Sequence, residues 1–177
     1  MNLAHNCLVF LTAISVVVSI KADAKKVFAK ENLVAWCIVP FDAKKRNPAE
    51  RAKMAKRLGF TKIAYDWRGH HVPTFEQEIL EYKKRDLEFF ALWSWHEAFE
   101  RLVKKHNIKP QVWRTLISPK AGSQEEKVSI AAKSMLPLVK KTEKLDLKLG
   151  LYNHGGWGGK PANLIAVCKE LHKHGHD

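Results

Sequence analysis

The sequence predicts an α/β fold with a parallel sheet, and two observations lead to this prediction. Five apolar runs rich in β-branched and aromatic residues are spaced along the chain, and a stretch with helical periodicity follows each run. The runs are apolar on both faces, and single helices between such strands give a parallel sheet with right-handed crossovers. Either a doubly wound sheet or a β/α barrel fits. The predicted strands are residues 33–41, 62–67, 87–95, 111–118 and 147–153.

Capping signals place the helices after the first, second and fourth strands. Asn47 followed by Glu50 three residues later predicts a helix start, and Gly59 predicts the end of that helix. Capping boxes of the same kind open at residues 74–77 and 123–126. These signals are local, so the helix starts are predicted more firmly than the strand ends.

Apolar stripes predict which helix faces point inward. Pro137 is expected to bend or shorten its helix, and Pro161 is expected to begin the last one. The predicted inward positions are Ala98, Phe99, Leu102 and Val103; Val128, Ala131, Ala132, Met135 and Val139; and Leu164, Ile165, Cys168 and Leu171.

Residues 1–24 are predicted to be an export signal. An apolar run spans residues 7–20, and Ala22-Asp23-Ala24 matches the A-x-A pattern of a signal-peptidase site. The run is too short to span a bilayer comfortably. The mature part, residues 25–177, is therefore expected to be periplasmic or secreted and free of the membrane. An uncleaved anchor or a buried strand is the alternative.

The net charge of +13 stays with the mature part, because Lys21 and Asp23 cancel. A basic surface attracts phosphate backbones, but many lysines lie in stretches that would form the outer helices of a barrel. These lysines are Lys53, Lys56, Lys83, Lys84, Lys104, Lys105, Lys140 and Lys141. A nucleic-acid partner is therefore not favoured. Cys37 and Cys168 do not make a disulfide framework and are predicted to be buried small hydrophobes.

Common phosphate and zinc motifs are excluded by their missing residues. The turn after the first strand, residues 40–43, has no glycine, so it lacks the dinucleotide-binding pattern. Lys160 is followed by Pro161, which rules out a P-loop. His96-Glu97 starts like a zinc-protease helix, but Glu100 occupies the second histidine position.

The candidate site is predicted at the carboxyl ends of the strands, where parallel β/α folds bind ligands. Rings that stack on C–H faces and charged groups that hold hydroxyls or phosphate favour a carbohydrate or other polyol. The residues there are Asp42; Asp66, Trp67, Arg68, His70 and His71; Trp93, Trp95, His96 and Glu97; Arg114, Ser118 and Lys120; and Tyr152, Asn153, His154 and Trp157.

Each of these features also has a plain structural interpretation. Asp66 could pair with Arg68, the two adjacent histidines could be solvated, and the tryptophans at 67, 93, 95 and 113 could pack inside a barrel. The five glycines of residues 150–161 predict backbone N–H groups that approach a ligand under Trp157. A tight connector is the alternative for that segment.

Several stretches resemble the sugar phosphate isomerase/epimerase group, whose fold is the xylose isomerase-like TIM barrel and which includes endonuclease-type relatives. They are NLVAWCIVPFDAKKRNPAERAKMAKRLGFTKIAYDWR, PTFEQEILEYKK, FFALWSW and GLYNHGGWGGKPANLIAV. The resemblance runs from about residue 32, and YNHGGWGG is its most specific part. It implies a barrel with a divalent metal, Mn, Mg or Zn, that moves a proton between adjacent carbons of a sugar or sugar phosphate.

The resemblance also implies roles for individual residues. His154 is expected to be a metal ligand or proton shuttle, with His70 and His71 as further catalytic candidates. Many members place a metal-binding glutamate where this chain has Tyr152 or Asn153, and tyrosine is a poor ligand for Mg²⁺ or Mn²⁺. The substrate-binding candidates are Asp66, Arg68, Trp95, Arg114, Asn153 and Trp157.

The fold class expected from all this is an incomplete (β/α)8 TIM barrel. A full barrel has eight β/α units, whereas this sequence has about five, so the chain is expected to be the N-terminal part of a longer enzyme. Another chain or a dimer partner is expected to cover the open sheet edges. A sugar-binding remnant without turnover is the first alternative function, and a nucleic-acid-directed, endonuclease-like relative is the second.

Overall fold

The computed structural model describes residues 24–176 and contains five strands that all pair in parallel. They are β1 (Val34–Ala35), β2 (Lys62–Asp66), β3 (Glu88–Trp93), β4 (Gln111–Thr115) and β5 (Leu149–Tyr152). The order in the sheet is β1-β2-β3-β4-β5, the order of the chain. A doubly wound sheet reverses its strand order at a switch point, so this order is that of a β/α barrel. The predicted α/β fold with parallel strands is confirmed. The predicted export signal lies outside the described residues except for Ala24.

Helices alternate with the strands. They are α1 (Ala24–Val27), α2 (Pro48–Arg57), α3 (Phe75–Lys83), α4 (Ala98–His106), α5 (Gln124–Lys144) and α6 (Pro161–Lys173), with 3₁₀ turns at Lys30–Asn32, Gly69–Thr74 and Trp157–Gly159. Among the residues described, no helix is both long and apolar enough to cross a bilayer.

Two of the three predicted capping boxes are confirmed. The Glu50 backbone N–H donates to Asn47 Oδ1 at 3.0 Å, and the Glu50 carboxylate accepts from the Asn47 N–H at 2.9 Å. Ser123 and Glu126 form the same reciprocal pair at the start of α5. The third prediction was wrong, because the Thr74 hydroxyl donates to the His71 carbonyl at 2.9 Å inside the preceding 3₁₀ turn.

Two further predictions about single positions were wrong, and a third was wrong in part. The first strand ends at Ala35 because Cys37 has a left-handed backbone, with φ of 57°, which cannot continue a strand. Of the bend or shortening expected at Pro137, the shortening does not occur, since α5 runs 21 residues to Lys144, and the bend stays a prediction. Ile165 is 55% exposed, and the fully buried position on that helix is Val167.

The core lies between the sheet and the helices, in two clusters. The larger one joins β1–β3 to α2–α4, and the smaller one joins α5 and α6 to the last two strands. Tyr65 identifies the side of the sheet that faces the helices, because its ring contacts Phe75 and Phe99 on the helices at centroid distances of 5.8 and 6.4 Å. Since side chains alternate along a strand, Asp66 faces the opposite side of the sheet. We call that side the interior face.

One buried ion pair ties α2 to α3 inside the larger cluster. Arg51 donates to both carboxylate oxygens of Glu78, at 3.1 and 2.6 Å, and the Tyr82 hydroxyl donates to the same carboxylate at 2.7 Å. Arg51 is 4% exposed and Glu78 is fully buried. The guanidinium also bonds the Arg46 carbonyl, so this pair holds the loop that follows β1.

Candidate functional site

Four large aromatic rings meet on the interior face, three of them in β3, β4 and β5 and one directly after β1. Trp36 stacks on Trp93 with ring centroids 5.2 Å apart, and Tyr152 lies 4.4 Å from Trp93. Trp113 stacks parallel to Tyr152 at 6.5 Å and lies edge-on to Trp36 at 6.3 Å. All four rings are partly exposed. We refer to Trp36, Trp93, Trp113 and Tyr152 as the aromatic face.

Strand register places these rings side by side. Trp93 pairs with Trp113 between β3 and β4, and Trp113 pairs with Gly150 of β5. Paired residues point to the same side of the sheet, so a side chain at Gly150 would meet the Trp113 ring. A Cβ there would lie 2.9 Å from Trp113 Cδ1. Because Gly150 has no side chain, the Trp113 indole can occupy this space.

His154 extends this face beyond the end of β5. Its ring centroid is 6.2 Å from that of Trp93 and 6.0 Å from that of Tyr152, and the residue is exposed. The neighbouring Asn153 is exposed as well. His154 therefore presents an imidazole to whatever lies against the aromatic rings.

The donor set around His154 does not hold a metal ion by itself. Within residues 24–176, no three His, Cys, Asp or Glu side chains come together in a group that would hold a metal. The rings nearest to His154 are carbon-rich, and no carboxylate is in contact with it among the described residues. The predicted divalent metal needs ligands beyond this histidine, and no chemical step below depends on it.

Asp66 lies on the interior face one strand away from Trp36. It pairs in register with Trp93, it is 2% exposed, and its Oδ1 atom has no hydrogen-bond partner among the described residues. Burial raises the pKa of this carboxyl, an effect partly offset by the Cys37 thiol and the Arg68 guanidinium. A buried carboxyl with an unsatisfied oxygen and a raised pKa is a common feature of functional sites.

The raised pKa predicts a pH-dependent stability that Asp66→Asn removes. Below the unfolded-state pKa of about 3.9, both states bind the proton and Asp66 contributes no slope. As the pH rises, the unfolded chain releases its proton first, so stability falls until the pH passes the raised folded-state pKa. In wild type, thermal melts from pH 3.5 to 8 are expected to show this loss, and Asp66→Asn is expected to flatten that part of the profile.

A matched control for this prediction is Asp86→Asn, because the Asp86 side chain is 95% exposed. That substitution is expected to leave the pH profile unchanged. Parallel profiles for wild type and Asp66→Asn would contradict the burial of an unpaired carboxyl.

His70 and His71 lie in a different place, a cleft of about 570 Å³ between the loops that follow β1 and β2. The Arg68 backbone N–H donates to His71 Nδ1 at 2.9 Å, and the Arg68 guanidinium donates to the carbonyls of Asp66 and Trp67 at 3.1 and 2.8 Å. Arg68 thus holds the backbone of its own loop. We call this cavity the first-loop cleft.

Trp95 and Arg114 occupy a third place, on the helix side of the sheet. Both line a cavity of about 260 Å³ next to α5, where the Lys141 ammonium lies 5.6 Å from the centre of the Trp95 ring. Arg114 donates to the Ser94 hydroxyl at 3.1 Å. Since Trp113 faces the interior, the alternation of the strand turns Arg114 outward.

The glycine-rich turn after β5 packs against the loop that follows β4. The Gly158 N–H donates to Ser118 Oγ at 2.9 Å, and a Cβ at Gly158 would lie 2.7 and 2.8 Å from the carbonyl oxygens of Leu116 and Ile117. This geometry supports the connector interpretation for Gly158. Here the close approach that requires a glycine is made by the chain's own backbone.

Trp157 takes part in the same packing. Its Nε1 donates to Gln124 Oε1 at 3.0 Å, and its carbonyl accepts from Asn163 Nδ2 at 2.7 Å. Gln124 in turn donates to Asn163 Oδ1 at 2.8 Å, which closes a three-residue network across α5 and α6. The predicted contact of Trp157 with a ligand stays a prediction.

The candidate site residues therefore separate into three groups. His154 and Asp66 belong to the interior side, His70 and His71 to the first-loop cleft, and Trp95 and Arg114 to the outer cavity. The sequence reasoning missed Trp36 as a site residue. The signal for it was the alternation within the first apolar run, where Ala35 is buried on the helix side and Trp36 is its neighbour on the other side.

Two solved structures are similar to this fold. One is the apo form of 3-keto-D-glucoside 4-epimerase YcjR from E. coli, with a TM-score of 0.51 and 13% identity over 69% of this chain and 56% of that chain. The other is the probable 3-DHS dehydratase AsbF, involved in petrobactin synthesis, from Bacillus anthracis, with a TM-score of 0.55 and 14% identity over 81% of this chain and 60% of that chain.

These likenesses show the fold alone, because the identities are low. Both structures are TIM barrel enzymes, which agrees with a partial barrel, and this chain spans less than two thirds of the length of either. No protein-family model and no curated protein matches the sequence.

Proposed function

We propose that this chain belongs to a barrel of the sugar isomerase/epimerase type that moves a proton between adjacent carbons of a bound sugar. The aromatic face carries the proposal, because its four partly exposed rings, three of them in β3, β4 and β5, offer a surface for the C–H face of a sugar. The likeness to solved epimerase and dehydratase folds supports the same class of substrate.

The residues around this surface suit the proton transfer. Abstraction of a proton next to a carbonyl needs a base at the carbon and a group that stabilises the developing oxyanion. His154 sits at the edge of the rings and carries an imidazole, the side chain best suited to exchange protons near neutral pH. Asp66 lies on the same face, its Oδ1 atom has no hydrogen-bond partner among the described residues, and burial raises the pKa of its carboxyl.

A divalent metal, which the resemblance implies, would polarise the carbonyl oxygen in such a reaction. The described residues gather no group of three or more His, Cys, Asp or Glu side chains that would hold such an ion. The roles proposed for His154 and Asp66 are defined without that ion.

The test is proton exchange in D₂O. The chain, incubated with a 3-keto-D-glucoside or with D-fructose, is expected to exchange the C–H next to the carbonyl for deuterium, followed by NMR. His154→Gln is expected to slow this exchange by at least about tenfold, since general acid–base catalysis contributes roughly 10²–10⁴. His172→Gln is the control, because His172 is exposed on α6, away from the aromatic face.

Sugar binding without turnover is the second candidate, because affinity needs only the aromatic face. Binding of the same sugars, followed by tryptophan fluorescence, separates the two. Binding without deuterium exchange would favour this second function. Absence of both would rule out the sugar assignment.

A further inference from the structure

The first-loop cleft is a second place where the structure gathers chemistry-bearing groups, apart from the aromatic face. Basic side chains from two loops converge on it, and Asp42 is the single acidic residue in its lining. The basic and imidazole residues are Lys45, Arg46, Arg51, His70 and His71. The cleft has a larger volume than the cavity that holds Trp95 and Arg114, and the function proposed above does not use it.

The acidic residue of the cleft is already occupied. The Asp42 carboxylate accepts hydrogen bonds from the backbone N–H groups of Lys44 and Arg46 at 3.1 and 2.9 Å, and it also forms an ion pair with the Arg46 guanidinium. Burial opposes the ionisation of Asp42, but these hydrogen bonds and the ion pair outweigh it and lower the pKa of the carboxyl. Asp42 is therefore charged, and its bonds are made within its own loop.

The positive groups are not all balanced. Glu78 forms an ion pair with Arg51, and Asp42 binds one guanidinium nitrogen of Arg46. Among the described residues, no acidic side chain pairs with Lys45, which is exposed. The Lys45 ammonium and the other nitrogens of Arg46 are therefore left to bind a ligand.

His71 adds a neutral donor of fixed direction. Its Nδ1 accepts the Arg68 backbone N–H, so the neutral ring carries its proton on Nε2. That Nε2 has no hydrogen-bond partner among the described residues, although the side chain is nine-tenths buried and lines the cleft. The Nε2 atom is not one of the buried atoms without a partner, so solvent reaches it and it can donate to a group bound in the cleft.

The charges around His71 agree with an electropositive cleft. Burial, together with the neighbouring His70 and the charges of Arg51 and Arg68, lowers the pKa of His71 to about 4. The imidazole therefore stays neutral at pH 7 and keeps its single Nε2–H donor.

We propose that the first-loop cleft binds a phosphate group, held by Lys45, Arg46 and the Nε2–H of His71. These donors come from two different loops, and a phosphate offers several acceptor oxygens that can bind them together. The group is either free phosphate or the phosphate of an ester, and the chemistry of recognition is the same for both.

The test is a calorimetric titration of the full chain with sodium phosphate at constant ionic strength, with sodium chloride as the reference salt. Saturable binding with a Kd of roughly 1 mM is expected. Lys45→Gln is expected to weaken it at least about fivefold, and Lys133→Gln, an exposed lysine on α5, is expected to leave it unchanged.

His71→Asn provides a second, local readout. The Asn amide oxygen can replace Nδ1 as the acceptor of the Arg68 N–H, while the Nε2–H donor is lost. This variant is expected to weaken phosphate binding about fivefold. In wild type, phosphate is expected to shift the NMR signals of His70 and His71 and leave those of His154 in place.

The outcomes separate this proposal from the sugar proposal. Absence of saturation, or equal weakening by Lys45→Gln and Lys133→Gln, would overturn it and leave only diffuse attraction to a basic protein. Glucose 6-phosphate that binds as phosphate does would identify the group alone as the ligand, and tighter binding would identify an ester. Phosphate binding without deuterium exchange would retain this site and reject the isomerase.

Discussion

Arg51→Leu is expected to lower the free energy of unfolding by about 3–5 kcal/mol, the range measured when one partner of a buried ion pair is removed. The Glu78 carboxylate is fully buried and receives two bonds from Arg51. Without the guanidinium, its charge is left inside the larger core cluster, where desolvation is costly. Urea unfolding at pH 7, followed by far-UV circular dichroism, measures the change.

Two further variants show that the cost comes from the unpaired charge. Arg51→Leu combined with Glu78→Leu is expected to recover most of the loss, because a buried pair replaced by apolar groups is often neutral in stability. Arg57→Leu, an exposed arginine in the last turn of the same helix, is expected to stay within about 0.5 kcal/mol of wild type. A loss below about 1 kcal/mol for Arg51→Leu would mean that the pair is not buried as described.

The same pair links stability to the first-loop cleft. Arg51 lines that cleft and bonds the carbonyl of Arg46, one of the proposed phosphate ligands. A variant that loses the pair is therefore expected to lose the shape of the cleft as well. Lys45→Gln, on an exposed side chain, is the cleaner test of binding for this reason.

The alternation of strands and helices was predictable because its signals are local. The reciprocal bonds of Asn47 with Glu50 involve residues three apart, and their spacing in the sequence is sufficient to predict them. Thr74 has the same spacing from its partner, but its hydroxyl bonds the His71 carbonyl instead. The sequence does not show this competition, because it depends on the 3₁₀ turn at Gly69–Thr74, which brings the His71 carbonyl within reach of the Thr74 hydroxyl.

The length of β1 was not predictable from residue type. Cys37 adopts a left-handed conformation that non-glycine residues rarely take, and nothing in its side chain favours that state. The conformation turns the chain away from the sheet before the predicted end of the strand. Tertiary packing of the loop after β1 decides it, including the Arg51 bond to Arg46.

The sequence predicts which side chains follow the strands, but not which of them meet. Residues at the carboxyl ends of strands do carry the polar and aromatic side chains, as in other parallel β/α folds. Which of them meet depends on pleat and register, so Trp113 joins the aromatic face while Arg114, one residue later, lies on the helix side. The buried ion pair of Arg51 and Glu78 joins residues that are 27 positions apart, and no local sequence pattern predicts it.

Gly158→Ala is expected to lower the free energy of unfolding by about 2–3 kcal/mol, as overpacking of a closely packed site does. The atoms that a new Cβ would meet are the carbonyl oxygens of Leu116 and Ile117, at 2.7 and 2.8 Å. These are backbone atoms and cannot rotate away as a side chain can. The turn must therefore shift, which also weakens the bond from the Gly158 N–H to Ser118 Oγ. Urea unfolding measures the loss.

Gly155→Ala separates this steric cost from the loss of backbone freedom. Gly155 has a φ of +67°, and a Cβ there would meet no atom within 4 Å. Its substitution is therefore expected to cost only the strain of a left-handed alanine, about 1–2 kcal/mol. If Gly158→Ala costs no more than Gly155→Ala, the contact between the two loops is looser than described. If it costs more, that contact fixes the shape of the turn that carries His154, because the same packing sets the path of the chain between β5 and α6.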